Sequence, residues 1–213
     1  MRRMLSTLAV LAAMLTGRAY AAEATAEAPV KKETKTGDEP KFIRTPDVVY
    51  VPTPYDVVEK MLDMAQVKKG DVVFDLGCGD GRIVVTAAKK YGVKAYGYDI
   101  APERVKEGWA NIRKNGVEDL ATISQQDIFT LDLSKANVVT LYLLPRLNVK
   151  LIPQLEKLKP GSRIVSHDFD MEGVKPDKVV TYTSKDDNVR HTIYLWTTPL
   201  KKEKKAASSD DEQ

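Results

Sequence analysis

The sequence predicts an α/β fold: a mostly parallel seven-stranded sheet with helices on both faces and an antiparallel strand near one edge. Three observations predict it. Strand and helix patterns alternate along most of the chain, each helix carries its own start and stop residues, and the last two strand patterns follow one another with only a polar turn between them. Alternation requires crossover connections and so parallel strands covered on both faces. The closing pair places an antiparallel strand in that sheet.

The first helix begins in "VPTPYDVVEKMLDMA", with Thr53 as N-cap, Pro54 at the first helical position and Asp56 in the first turn. Val57, Val58, Met61, Leu62 and Ala65 give it one apolar face. A strand from Val72 to Leu76 runs into a glycine loop, and a helix from Arg82 to Tyr91 ends at Gly92. "KAYGYD", 94–99, is the second strand, and Pro102 opens a helix reaching about Asn115 before Gly116. "ATISQQD", 121–127, is a short third strand and "NVVTLYL", 137–143, a buried fourth. A helix from Arg146 to Leu158 stops at Pro160-Gly161. The strands "SRIVSHDF", "KVVTYTS" and "HTIYLWTT" complete the seven.

The chain has 213 residues, enough for one domain with a sizeable core, expected at 42–200. Residues 1–21 have Arg2 and Arg3, an apolar run from Met4 to Leu15 and then Ala19-Tyr20-Ala21. That is the layout of a signal peptide, and it predicts export to the periplasm or medium. A retained leader would instead anchor the protein at a membrane, and initiation at Met14 would leave it cytoplasmic. Residues 22–41 read as a solvated linker and 201–213 as a charged disordered tail. Losing residues 1–21 removes three arginines and no acids, so the formal charge falls from +3 to zero. With no basic stripe interleaved with aromatics, a nucleic-acid partner is not expected. Cys78 is the only cysteine, and His167 and His191 are the only histidines, with no partner at a spacing such as H-E-x-x-H. No disulfide and no metal site are expected.

"DVVFDLGCGDGRI", 71–83, carries the chemistry. Gly77, Gly79 and Gly81 crowd against a buried strand, with Asp75 two residues before the first glycine. Glycines leave room for a ligand to lie on the main chain. In such a sheet ligands bind beyond the carboxyl ends of the strands, and the amides opening the next helix at Gly81 and Arg82 favour an anionic group such as a carboxylate. A dinucleotide loop would read G-x-G-x-x-G, and a phosphate-gripping loop would carry G-K-[ST]. Here the pattern is G-x-G-x-G behind a carboxylate, which repels phosphate and suits a ligand bearing an ammonium. S-adenosylmethionine, with an amino acid end, a sulfonium and an adenosine, is the better fit. Asp99, 24 residues after Asp75 at the end of the second strand, is placed to accept the ribose hydroxyls, with Ile100 beside it.

"DLGCGDGRI" resembles the first motif of the class I, Rossmann-like, seven-strand methyltransferases, over about Val49 to Trp196. "YVPTP", 50–54, together with "DLGCGDGRIV" is similar to a family of protein-lysine methyltransferases whose eukaryotic members act on mitochondrial inner-membrane proteins. The resemblance implies an S-adenosylmethionine-dependent methyltransferase. It implies that Tyr50 and Thr53 form a lid over the cofactor, and that Asp75, Gly77, Cys78, Gly79 and Gly81 form the cofactor loop. By the same resemblance Asp127 takes the adenine amino group, with Ile128 against the ring; an Asx turn is the competing role for Asp127. Strand four ends in "TLYLLP", where related enzymes place methyl-transfer residues, and the Asn-Pro-Pro-Tyr/Phe box of nucleic-acid amino methylases is missing. Tyr142 is therefore a catalytic candidate. Asp168, in "SHDFD" on the same rim, is placed to orient an amine or to serve as a solvated strand-end cap. The acceptor implied is a protein lysine, and the family's substrates point to a membrane-associated one. A small-molecule acceptor and a non-catalytic cofactor-binding protein are the alternatives.

Overall fold

The computed structural model describes residues 43–203. Its elements are α1 (Tyr55–Met64), β1 (Val72–Leu76), α2 (Arg82–Tyr91), β2 (Lys94–Asp99), α3 (Pro102–Asn115), β3 (Ala121–Gln125), a 3₁₀ turn (Ile128–Thr130), β4 (Val138–Leu141), α4 (Pro145–Leu155), β5 (Arg163–His167), β6 (Lys178–Thr183) and β7 (Arg190–Thr197). The leader at 1–21, the linker at 22–41 and residues 204–213 of the tail lie outside the described residues.

The strands form one sheet in the order β3-β2-β1-β4-β5-β7-β6. β1 pairs in parallel with β2 and β4, β2 with β3, and β4 with β5. β7 inserts antiparallel between β5 and β6. The predicted seven-stranded, mostly parallel sheet with an antiparallel strand near one edge is what forms. Because the chain runs outward from β1 to β3 and then returns to β4 on β1's other side, a crevice opens beyond the carboxyl ends of β1 and β4.

Each central strand feeds two cores. Val73, Val138, Val165 and Ile193 point to the face where α1, α2 and α3 bury Val58, Met61, Leu62, Val84 and Ile112. Phe74, Leu76, Val139, Leu141 and Ile164 point to the other, against Leu151 and Leu155 of α4 and the buried Trp196. This near-continuous apolar content, split by the period-2 pleat, is what a two-sided parallel sheet requires.

Several boundaries differ: β3 ends at Gln125 and not Asp127, α4 runs Pro145–Leu155 and not Arg146 to Leu158, and two further differences bear on the site. Helix α1 starts at Tyr55 with Pro54 as its N-cap, and no side chain caps it. Thr53 is not the cap, because its hydroxyl is engaged with His167 Nδ1 at 3.1 Å. β4 ends at Leu141 rather than residue 143, since Tyr142 and Leu143 leave the sheet to line the crevice.

Helices α2 and α3 meet backbone to backbone beside the glycine loop. A Cβ on Gly81 would lie 3.3 Å from Gly108 Cα, and a Cβ on either glycine would run into Ile123 Cδ1. Overpacking such a contact costs about 1–3 kcal/mol. Gly108→Val is expected to lower unfolding stability by that amount in urea titration, despite the better helix propensity of valine.

Candidate active site

The turn from β1 into α2 hangs on one acceptor. The Tyr98 carbonyl accepts from Gly77 N at 2.8 Å and from Cys78 N at 3.0 Å. Gly77, Gly79 and Gly81 have φ of 77°, 53° and 74°, the left-handed region that only glycine enters readily. Gly79 N donates to Asp99 Oδ2 at 2.8 Å, and Ala101 N donates to Asp99 Oδ1 at 2.9 Å. Each Asp99 oxygen thus has one backbone donor and capacity for another.

The segment before α1 lies across this loop. The Tyr50 ring rests where a Gly79 side chain would be, and a Cβ there would strike it. Arg104 lies 4.8 Å from the centre of that ring. Arg82 donates to Thr53 O at 2.8 Å, pairs with Asp80 at 2.7 Å, and lies 4.9 Å from the Tyr55 ring centre. These contacts hold residues 50–55 down over a cavity of about 480 Å³, within the range of small-molecule sites.

Tyr50, Thr53, Asp75, Gly77, Cys78, Asp99, Ile100, Ile128 and Tyr142 all line this cavity. Gly79 and Gly81 do not; they shape the loop beneath it. Asp127 is not among the lining residues; its carboxylate is turned to Arg44. Arg44 binds its carboxylate through Nε at 2.7 Å and a second nitrogen at 3.1 Å. Phe129 N donates to it at 3.0 Å, which is the Asx turn. Its neighbours Gln126 and Ile128 face the cavity instead. The amides opening α2 are also committed: Gly81 N donates to Cys78 O at 2.9 Å, and Arg82 N to Asp80 Oδ1 at 3.2 Å. The anion site expected at those two amides is not formed.

Burial raises the Asp75 carboxyl to about 7, despite the 2.6 Å hydrogen bond it accepts from Thr140 Oγ1, and the nearby Asp99 and Asp80 push it the same way. Burial also lifts Asp99 above the ordinary carboxylate range against the pull of its backbone donors. A wall carrying Asp75, Asp80 and Asp99 over a glycine floor fits a ligand with cationic sulfonium and ammonium groups and a flat nucleoside. The residues present therefore fit S-adenosylmethionine. Asp75 and Asp99 would hold its charged and ribose parts, the Gly77–Gly81 loop its length, and Ile100, Ile128 and Leu143 its apolar surfaces.

Sequence reasoning missed the other polar side of the site. His167 lies at the end of β5 and is wholly buried; His191 lies on β7. Thr53 Oγ1 meets His167 Nδ1 at 3.1 Å, His167 Nε2 meets His191 Nδ1 at 2.8 Å, and His191 Nε2 meets Asp187 Oδ2 at 3.2 Å. The Tyr142 ring lies 4.0 Å from the His167 ring, centre to centre. Asp168 is off the cavity wall, at φ 57°, where its carboxylate meets His191 Nδ1 at 3.0 Å and accepts from Thr192 N at 2.7 Å. So Asp168 serves the histidine pair in this structure. The two histidines, lacking partners at motif spacing, are partners of each other. Burial lowers His167 to about 4. Burial also pulls His191 down, yet its hydrogen bonds to Asp168 and Asp187 outweigh that and hold it above the ordinary imidazole value.

The buried Asp75 makes a pH-dependent expectation. An acid whose pKa is raised on folding binds its proton more tightly when folded. Its stability contribution is therefore intact below the unfolded value near 4 and is lost as pH rises to about 7. The full loss is of order 4 kcal/mol. Asp75→Asn keeps an acceptor for Thr140 and removes the charge. Ligand-free, it is expected to be more stable than the unaltered protein at pH 8 and equal to it below about pH 4, by urea titration. Calorimetry at pH 8 should show S-adenosylmethionine binding weakened by about 1.5–3 kcal/mol.

Comparison with known proteins agrees with this geometry. A family model described as the ANTKMT methyltransferase domain matches residues 75–178. A protein-lysine N-methyltransferase of Saccharolobus islandicus is 51% identical over 153 residues, 71% of this chain and 94% of that protein. A human lysine N-methyltransferase, named for a subunit of the ATP synthase, is 30% identical over 131 residues, 61% of this chain and 55% of that one. A crystal structure described as an RNA methyltransferase from Salinibacter ruber in complex with S-adenosyl-L-homocysteine superposes with a TM-score of 0.66 at 44% identity, covering 76% of this chain and all of that one. This chain belongs to the same family as these proteins and is an S-adenosylmethionine-dependent methyltransferase of the class I, seven-strand type.

Proposed function

We propose that the protein methylates a lysine side chain of a protein substrate. The observation that carries this reading is the 51% identity to a protein-lysine N-methyltransferase over nearly all of that protein. The cavity is consistent with it. When bound, S-adenosylmethionine would supply a methyl carbon activated by its sulfonium, with the neutral thioether as the leaving group of an in-line attack by the acceptor. The protein's task is then to align the acceptor, exclude water and have the ammonium lose a proton. Lysine titrates near 10.4 in water, and an apolar, aromatic entry lowers that value by desolvation. Tyr142, Leu143 and Leu147 make such a wall beside Thr53. Tyr142 is proposed to position the amine.

The rim supports a partner with apolar surface. Val49 is 88% exposed, and Val51 and Tyr55 are exposed beside it, on the segment that covers the cavity. A membrane-associated substrate suits that rim, and the human and Saccharolobus relatives are both named as lysine methyltransferases. Among the described residues no helix is long and apolar enough to cross a membrane. Export through residues 1–21 is retained as our reading of that segment, on its three-part layout.

Incubation with methyl-labelled S-adenosylmethionine and fractionated extract of the native cell tests the acceptor. Label in protein, recovered as methyllysine after hydrolysis, is the expected outcome. Label in RNA would follow the Salinibacter description instead, and label only in small molecules would give the small-molecule alternative. Tight cofactor binding with no label in any fraction would make the protein a non-catalytic binder. Intact mass of the protein from its native cell tests its location: a chain starting at Ala22 is expected. A start at Met1 would give the anchored form, and one at Met14 would remove both.

A further inference from the structure

We propose that Thr53, His167, His191 and Asp187 form a proton wire that carries the acceptor's proton from the buried end of the cavity to solvent. The inference rests on the lysine reading, since only a protonated amine brings a proton that must leave before methyl transfer.

The chain of contacts is continuous and uses each imidazole at both nitrogens. Thr53 Oγ1 and His167 Nδ1 are 3.1 Å apart, His167 Nε2 and His191 Nδ1 2.8 Å, and His191 Nε2 and Asp187 Oδ2 3.2 Å. Its inner end, Thr53, is on the cavity wall beside Tyr142. Its outer end, Asp187, has a side chain 38% exposed. His167 between them is sealed from water. A purely structural histidine needs a partner at each nitrogen. It does not need those partners to run in one line from a ligand cavity to the surface.

The transfer balances. One Nζ–H bond of the ammonium breaks and a proton passes to Thr53 Oγ1, whose own proton passes to His167 Nδ1. At rest His191 is neutral with its proton on Nε2, and His167 Nε2–H points to the bare His191 Nδ1 at 2.8 Å and to Asp168 Oδ2 at 3.2 Å; that His167 proton passes to His191 Nδ1. His191 is then an imidazolium between Asp168 and Asp187, and its Nε2 proton leaves to the Asp187 carboxylate and so to water. The amine is left neutral, with its lone pair free for the methyl carbon. After product leaves, the reverse sequence restores both imidazole tautomers by taking a proton from water at Asp187 and delivering one to water in the cavity at Thr53. The ionisable groups facing the two rings are Asp168 and Asp187, and the Tyr142 ring lies 4.0 Å from that of His167. The two carboxylates stabilise a proton on His191, while buried His167 stays neutral and only passes it on. His167 and His191 are thus positioning and relay groups, acting through Thr53.

The test is the pH profile of methylation of a lysine peptide by full-length Thr53→Val, His191→Gln and unaltered enzyme. Thr53→Val keeps the shape and removes only the hydroxyl, so it serves if His191→Gln folds poorly. The expected result is a kcat about 100-fold lower at pH 7.5 for both variants, with KM for cofactor unchanged in His191→Gln, which is off the cavity wall. That loss should shrink as pH approaches the free lysine value of about 10.4. Thr53→Ser should restore the rate at pH 7.5. A loss equal at every pH, or no loss at all, would overturn the wire. So would a zinc or cobalt ion bound one per chain, with activity lost on chelation, because His167, Asp168 and His191 bring donor atoms within 4.8 Å of one another. No methyllysine from the unaltered enzyme at any pH would reject the lysine reading itself.

Discussion

The site depends on one carbonyl. Tyr98 O, at the end of β2, accepts both amides that open the loop after β1. To aim two successive N–H groups at one oxygen, the chain must turn out of the strand with a positive φ at Gly77. The turn is then locked to a neighbouring strand, not to its own helix. Since β1 is held on both sides by β2 and β4, the loop cannot shift without breaking ladder hydrogen bonds. From that fixed turn the rest follows. Asp75 is buried beneath it, Asp99 reaches across to Gly79 N, and the flat surface at Gly79 receives the Tyr50 ring. Each bond is worth only about 0.5–1.5 kcal/mol. The cost of leaving such donors buried and unpaired is what makes the arrangement rigid.

The electrostatics are arranged against the stability of the empty protein. Asp80 is neutralised by Arg82, but Asp75 has only the Thr140 hydroxyl and Asp99 only backbone amides. Two carboxylates of raised pKa therefore share one wall. A cationic ligand reverses that strain, ionising both groups and stabilising the fold in proportion to its affinity. A pyrophosphate would meet the same wall with like charge. The charge of the wall, more than the shape of the loop, selects a sulfonium amino acid over a dinucleotide.

Local signals in the sequence carried far, and non-local ones did not. Helices α2 and α3 run between the residues read from their caps, because Gly92, Pro102 and Gly116 act within a few residues of themselves. The placing of Asp75, Asp99, Ile100 and Tyr142 at one rim of the sheet also follows from motif and position. Asp127 sits between two residues that face the cavity. It leaves the strand into a 3₁₀ turn, so its side chain points to Arg44, 83 positions earlier, while Gln126 and Ile128 face inward. Thr53 made a good cap by residue type, but a histidine 114 positions later took its hydroxyl. No periodicity or spacing rule reports such pairs. The single usable hint was composition: the only two histidines sit on two strands that pair across the sheet's antiparallel seam.

That seam explains why the histidines meet. In the β5–β7 pairing Ile193 stands opposite His167. Side chains two residues apart on a strand share a face, so His191 lies diagonally across from His167, on the α1 side where Thr53 enters. A parallel strand here would need a long crossover instead of the short turn that carries Asp187. A register slip of one residue would turn His191 to the α4 face and open the chain of contacts. The antiparallel strand thus does more than extend the sheet. It carries one end of a polar path whose other end is fixed by the segment lying over the glycine loop. The same sheet thereby holds the cofactor crevice at β1 and the route away from it at β5 and β7.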